Sequence, residues 1–195
     1  MDELAASAER ILAAKEKYAF TRPEPELAGR PEDHAAARET ACDAVVLYAG
    51  THQPLQQDSF FCGPMDYRMT GAANAASYDF TLHMKNRFGA PGFTCSADPS
   101  ADEIREITAE AGRHAAIVLG TCNAHLYRGQ LALAASLAET GKPMTVIALR
   151  NPYDLLEISA QVTKAAVFDY MPNSLFAAEE FLLNGRAPGR MPVRM

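Results

Sequence analysis

The sequence predicts an α/β fold: a three-layer α/β/α sandwich with a mostly parallel five- or six-stranded sheet, preceded by an appended N-terminal helix and a linker. Two observations carry this prediction. From residue 35 onward, short apolar β-branched runs alternate with segments of helical periodicity, the pattern of βαβ units with right-handed crossovers. The clearest run, AAIVLG at 115–120, is apolar throughout, as a strand is when helices cover both faces of its sheet.

Residues 1–20 hold an amphipathic helix over 3–18, with Leu4, Ala8, Ile11, Leu12 and Tyr18 on one stripe and Glu9, Lys15 and Glu16 off it. A linker is expected at 21–34, where three prolines, a glycine and four carboxylates disfavour packed structure. The main domain then spans 35–195. Ala35–Ala41 reads as a helix running into DAVVLYA, which could either extend it or form a strand. SFFCG at 59–63 reads as a short buried strand. A helix is expected over about 70–88, with Ala72, Ala76, Phe80, Met84 and Phe88 at i, i+4 spacing and Gly89 closing it.

GFTCS at 92–96 is the next strand. Ser100 with Glu103 three residues on forms a capping box for a helix burying Ile104, Ile107 and Ala111. After the 115–120 strand, a helix over about 126–140 stops at Gly141, with Pro143 beyond. MTVIAL at 144–149 is a strand broken by NPYD. A helix around 153–161, a strand in KAAVFDY and a helix over about 174–184, ending at Asn184-Gly185, complete the series.

Composition narrows the function classes. Apolar residues at 48% against 22% charged suffice for a sizeable core. A net charge of −6 without any Lys/Arg cluster argues against a nucleic-acid partner. No apolar run reaches the roughly 20 residues of a membrane helix. The N-terminus lacks the basic and apolar regions of a signal peptide, so a cytoplasmic location is expected. Cys42, Cys62, Cys95 and Cys122 have neither zinc-site nor CxxC spacing and read as reduced structural thiols.

Ligands of open α/β sheets favour the carboxyl ends of the strands. The segments expected there are GPMDYRMT, TCNAHLYRG, RNPYD and DYMPNS. No glycine-rich phosphate cradle is present, so no dinucleotide or other cofactor is expected. The five histidines (34, 52, 83, 114, 125) are scattered without metal-ligand spacing, and no metal is expected. Cys122 with His125 is the nearest imitation of a nucleophile–base pair, but no orienting third group is identifiable. Asp154 and Asp169 stand near neighbouring strand ends and could converge as paired carboxylates. The plainer assignments are an N-cap for Asp154 and a loop hydrogen bond for Asp169. In RNPYD, Arg150, Asn151, Tyr153 and Asp154 suit sugar or partner contact as well as ordinary turn and cap chemistry.

The last 50 residues, MTVIALRNPYDLL, KAAVFDYMPNS and FLLNGRAPGRMPV, resemble the end of the C-terminal domain of family 3 glycoside hydrolases. RNPYD in place of the GRPL-like turn of β-glucosidases is similar to the β-N-acetylglucosaminidase (β-N-acetylhexosaminidase) branch. FFCGPMDYRMTGAANAASYDFTLHMKNRFGA and HAAIVLGT…LAASLAETGKPMTVIALRNP also resemble it. DELAASAERILAAKEKYAF resembles the last helix of that family's TIM barrel, and PEDHAAARETACDAVVLYAG the linker and first element that follow.

The resemblance implies a non-catalytic domain that partners a catalytic TIM barrel absent from this chain. In this branch the nucleophilic Asp and the acid/base Asp-His pair belong to barrel motifs of the KHFPG and DSH kind, and neither occurs here. The KHxxxNxxE-like stretch that supplies an acid/base Glu in other members is also absent. One departure is QPLQQ in place of the usual LPL before the first strand. The resemblance further implies that Arg150, Asn151, Tyr153 and Asp154 serve the barrel interface or the rim of its sugar cleft. Self-association through the exposed interface or the N-terminal helix is a further expectation. The alternative is a free-standing flavodoxin-like module that binds a small ligand or a protein at its strand ends.

Overall fold

The computed structural model describes residues 2–19, 29–65, 79–158 and 161–192. The chain divides into two compact units, Met1–Ala36 and Ala37–Met195. The first holds helix α1 (Asp2–Tyr18), whose Leu4, Ile11, Leu12 and Tyr18 are exposed. Helix α2 (Pro31–Ala44) crosses the division.

The start of α2 corrects the expected linker: residues 31–34 are helical. Pro31 suits the first helical position, where its missing N–H costs nothing, and Glu32 and Asp33 face the positive end of the helix. Asp33 also accepts from the Arg30 backbone N–H and pairs with the guanidinium. Residues 21–28 of the expected linker lie outside the described residues.

The ambiguous DAVVLYA run divides between the end of α2 and strand β1 (Val46–Ala49). Strands β2 (Ser59–Pro64), β3 (Gly92–Cys95), β4 (Ala116–Thr121), β5 (Met144–Ala148) and β6 (Thr163–Ala166) follow. The six form one sheet in the order β1-β6-β5-β4-β2-β3. All neighbours are parallel except β1, which runs antiparallel to β6 with an irregular register at Leu47/Ala49. The outer edge of β1 is covered by the C-terminal tail. Val46 bridges Pro188, and the Gly189 N–H donates to Val45 O at 2.9 Å. A β-carbon at Gly189 would stand 2.5 Å from Ala44 O, which explains a glycine in that tail.

Two buried clusters make the sandwich. On one face α2, α3 (Phe80–Phe88) and α7 (Pro172–Asn184) bring Cys42, Met84, Leu175 and Phe181 against Phe61, Val118 and Ile147. On the other, α4 (Ala101–Ala111), α5 (Arg128–Glu139) and the short α6 (Asp154–Glu157) bring Ile107, Leu133, Leu137 and Leu155 against Phe60, Leu119 and Val146. Successive strand residues alternate between the clusters, so both faces are dry.

The local signals set most helix ends. Ser100 and Glu103 form the expected capping box of α4, and Gly185 takes φ +72° to close α7. The helix expected over 70–88 is described only as Phe80–Phe88; Asp79 caps it and residues 66–78, with Ala72 and Ala76, lie outside the described residues. The helix expected at 153–161 is shorter. Ile158 is already extended, and Lys164 Nζ donates to the carbonyls of Leu155 and Ile158, satisfying groups the helix end leaves free. Strand β6 stops at Ala166 rather than running through KAAVFDY, because Phe168 adopts φ +63°.

Helices α3 and α7 are also joined by charge. Glu179, buried on α7, lies 2.5 Å from His83 Nε2 and accepts from Arg87 Nε at 2.7 Å.

Candidate functional site at the strand ends

The five parallel strands, renumbered in chain order, follow the sequence 2-1-3-4-5, one of the doubly wound orders. The order reverses between β2 and β4, and the crevice beyond the strands' carboxyl ends there is where such folds place ligands. Four described loops meet that end: 96–100 after β3, 122–127 after β4, 149–153 after β5 and 167–171 after β6. The loop after β2 is described only at Met65.

Gln130, buried at the start of α5, clamps the loop after β4. Its Oε1 accepts from Cys122 N–H at 2.9 Å, and its Nε2 donates to Cys122 O and Ala97 O. Asn123 then takes φ +56° and its carbonyl accepts from the N–H groups of Leu126 and Tyr127. This tight turn carries His125 toward the loop after β5. There the Asp154 carboxylate, fully buried at 0% exposure, lies with Oδ1 3.2 Å from His125 N and 2.8 Å from its ring Nδ1. A carboxylate only accepts, so Nδ1 carries the proton.

Asp154 is therefore not the N-cap that the sequence implies. Tyr153 occupies the cap position without a side-chain cap, and the side chain that serves the turn is Asn151, whose Oδ1 accepts from Tyr153 N–H at 3.3 Å. Placed one residue inside a four-residue helix, Asp154 faces the β4 loop instead. It also supplies the orienting group that Cys122 and His125 lacked in sequence, though it orients the histidine toward itself. Asp169 accepts from the Tyr170 N–H at 2.8 Å, the loop hydrogen bond expected of it. Of the RNPYD residues, Arg150 is half-buried with Nη1 buried and unpartnered among the described residues, and Tyr153 is exposed at 42%.

Cys122 is no nucleophile in this state. Burial pushes its thiol up to about 12, with Arg150 opposing and Asp154 and Asp169 adding to the rise. The same effects place Arg150, Asp154 and Asp169 within electrostatic reach of one sulfur. Cys95 is likewise pushed up to about 12 by burial, and Cys62 is raised well above the ordinary thiol value. All four cysteines are free and buried. Alkylation by iodoacetamide at pH 8 is therefore expected to be slow in the native chain and fast in denaturant; rapid native labelling of Cys122 by peptide mass mapping would contradict this.

The remaining histidines disperse. His83 meets Glu179, His114 meets Asp58 at 2.7 Å and stacks on Phe60, and His52 Nε2 lies 3.1 Å from Leu182 O. No group of three metal-binding side chains gathers among the described residues. No helix there is long and apolar enough to cross a membrane. A cavity of about 770 Å³ lies at the opposite end of the sheet, lined by Thr51, Gln53, Lys142, Gln161 and Thr163.

No protein-family model matches the sequence, and no curated protein matches it. Solved structures do. A family 3 β-N-acetylglucosaminidase from Paenibacillus sp. str. FPU-7 overlays 99% of the chain at a TM-score of 0.75 and 18% identity, using 39% of its own length. A fungal multi-domain family 3 β-N-acetylglucosaminidase overlays 100% of the chain at 0.71 and 17%, using 23% of its length. A Listeria innocua β-glucosidase overlays 85% at 0.67 and 13%, using 27%. The chain has the fold of one part of these larger enzymes. At such identities the likeness is one of fold.

Proposed function

We propose that the chain is a non-catalytic C-terminal domain of a family 3 β-N-acetylhexosaminidase-like glycoside hydrolase. The observation that carries this reading is the overlay of 99% of the chain on 39% of the Paenibacillus β-N-acetylglucosaminidase, α1 included. The strand-end chemistry supports it. Cys122 is protonated, Asp169 is spent on its own loop, and Asp154 is committed to His125.

In this reading the domain packs against a catalytic TIM barrel. Arg150, Asn151, Tyr153 and Asp154 lie at the interface or on the rim of its sugar cleft. The exposed stripe of Leu4, Ile11, Leu12 and Tyr18 on α1 is the surface for barrel contact, or for self-association where no barrel is present. A net charge of −6 fits a domain without a nucleic-acid partner, and four free buried thiols fit a reducing cytoplasm.

The test is an assay of the purified chain with a chromogenic N-acetyl-β-glucosaminide. No release of chromophore is expected. Turnover that disappears in Asp154→Asn would overturn the reading and make the His125–Asp154 pair catalytic.

A further inference from the structure

We propose that the cavity at the amino ends of β5 and β6 binds a small organic oxyanion, a carboxylate or phosphate whose charge is held by Lys142 and Lys164. This site lies at the opposite end of the sheet from the loops assigned above to the barrel interface or cleft rim. It goes beyond that reading and does not rest on it.

The fold builds this cavity from fixed walls. It measures about 770 Å³, within the roughly 300–1,000 Å³ of small-molecule sites. One wall is the turn after β1, drawn against the start of β6. Thr163 Oγ1 donates to Thr51 O at 2.6 Å, and Gly50 takes φ +78°. A β-carbon at Gly50 would stand 3.0 Å from Thr163 Cα, so glycine is what lets the two segments approach so closely. A second wall is the segment Gly141–Met144, which leads from α5 into β5.

Charge marks what the cavity takes. The chain carries a net −6 and has five lysines. Two of the five, Lys142 and Lys164, line this cavity, and no Asp or Glu among the described residues does. Lys142 stands four residues ahead of Val146, the residue in register with Lys164, which puts the two lysines within about 15 Å of each other.

Lys164 gives the stronger argument. It is half-buried, and burial alone holds its ammonium below the ordinary lysine value, with no neighbouring carboxylate to offset the penalty. An ammonium drawn out of water is ordinarily paired with an anion. Its Nζ donates to the carbonyls of Leu155 and Ile158. Those neutral acceptors occupy two of its three N–H groups, leaving one donor free and the charge unneutralised.

These features select the ligand class. A cation meets two ammonium groups and no carboxylate, and a neutral molecule leaves the Lys164 charge unpaired. An oxyanion accepts from both lysines, with the side chains of Thr51, Gln53 and Gln161 as further donors to its oxygens. Val162 offers apolar surface to the carbon body of the ligand.

The experiment titrates the full ¹⁵N-labelled chain, at constant ionic strength, with succinate, with inorganic phosphate and with succinamide, the neutral counterpart of succinate. Backbone amides of 50–53, 144–145 and 161–164 are followed. Saturable shifts with succinate or phosphate, and none with succinamide, are expected; the tighter of the two anions names the head group. Lys142→Gln and Lys164→Gln should each weaken anion binding about tenfold or more, since each removes a charged hydrogen-bond donor. Arg105→Gln, exposed on α4, should leave it unchanged. Should Lys164→Gln lose its dispersed spectrum, Lys142→Gln decides alone. Saturation by neither anion, an equal response to succinamide, or unchanged affinity in Lys142→Gln would each overturn the proposal. A folded Lys164→Gln chain with full anion affinity would do so too, reducing Lys164 to a cap of α6.

Discussion

Phe181→Ala is expected to destabilise the second unit by about 3–5 kcal/mol, the usual cost of emptying a fully buried phenylalanine site. Phe181 lies on the inner face of α7 at 0% exposure, within the cluster that joins α2, α3 and α7 to the sheet. Its ring stands edge-on to His52 at 5.5 Å, and His52 reaches back to Leu182 O, so the ring also supports the segment between β1 and β2. Few neighbours can collapse into the space. The sheet floor is held by strand pairing on both sides, and α7 is tied to α3 through Glu179. Urea unfolding followed by circular dichroism measures the change. A loss below about 1 kcal/mol would mean that α7 is not seated on the sheet as described.

Asp154→Ala is expected to cost about 1–3 kcal/mol, and here two effects oppose each other. The substitution strips the acceptor from both the backbone N–H and the Nδ1–H of His125. It also removes a buried carboxylate whose Oδ2 has no partner among the described residues, which relieves a desolvation penalty. The loss should win. The backbone donor is part-buried and has no other acceptor among the described residues, whereas the imidazole, at 25% exposure, recovers only part of its bond from water. A double-mutant cycle with His125→Ala separates the terms, with a coupling energy of about 0.5–3 kcal/mol expected. A variant more stable than the parent would show that the carboxylate is retained at a net cost, as binding groups often are.

Much of the fold was legible because its signals are local. The run at 115–120 needs only its own residues to read as a strand buried on both faces, and β4 is found at Ala116–Thr121. Ser100 and Glu103 announce a helix start through one side chain and one backbone N–H, and the capping box forms as read. Gly89 and Gly185 adopt the left-handed caps expected of them. Where composition misled, the cause was a weighing of effects: Pro31, Glu32 and Asp33 were read as breaking structure, yet at a helix start the same residues favour it.

The candidate site was less legible. RNPYD stood out as a loop at a strand's carboxyl end, and Arg150 and Asp154 are among its buried polar groups. The role of Asp154 was missed, because a cap and a long-range partner have the same local sequence. His125 was singled out beside Cys122, its neighbour in the chain, whereas its hydrogen-bond partner is 29 residues away.

By itself the sequence determined the alternation of strands and helices, the burial of both sheet faces and the stops at Gly89, Gly141 and Gly185. These depend on side-chain periodicity and on φ preferences, which each short segment carries within it. Only the tertiary structure decided that β1 runs antiparallel at the edge, that the order reverses between β2 and β4, and that Asp154 turns to His125. Those outcomes come from which strands lie side by side, and so from contacts between segments far apart in the chain, for which no single stretch of residues holds the information.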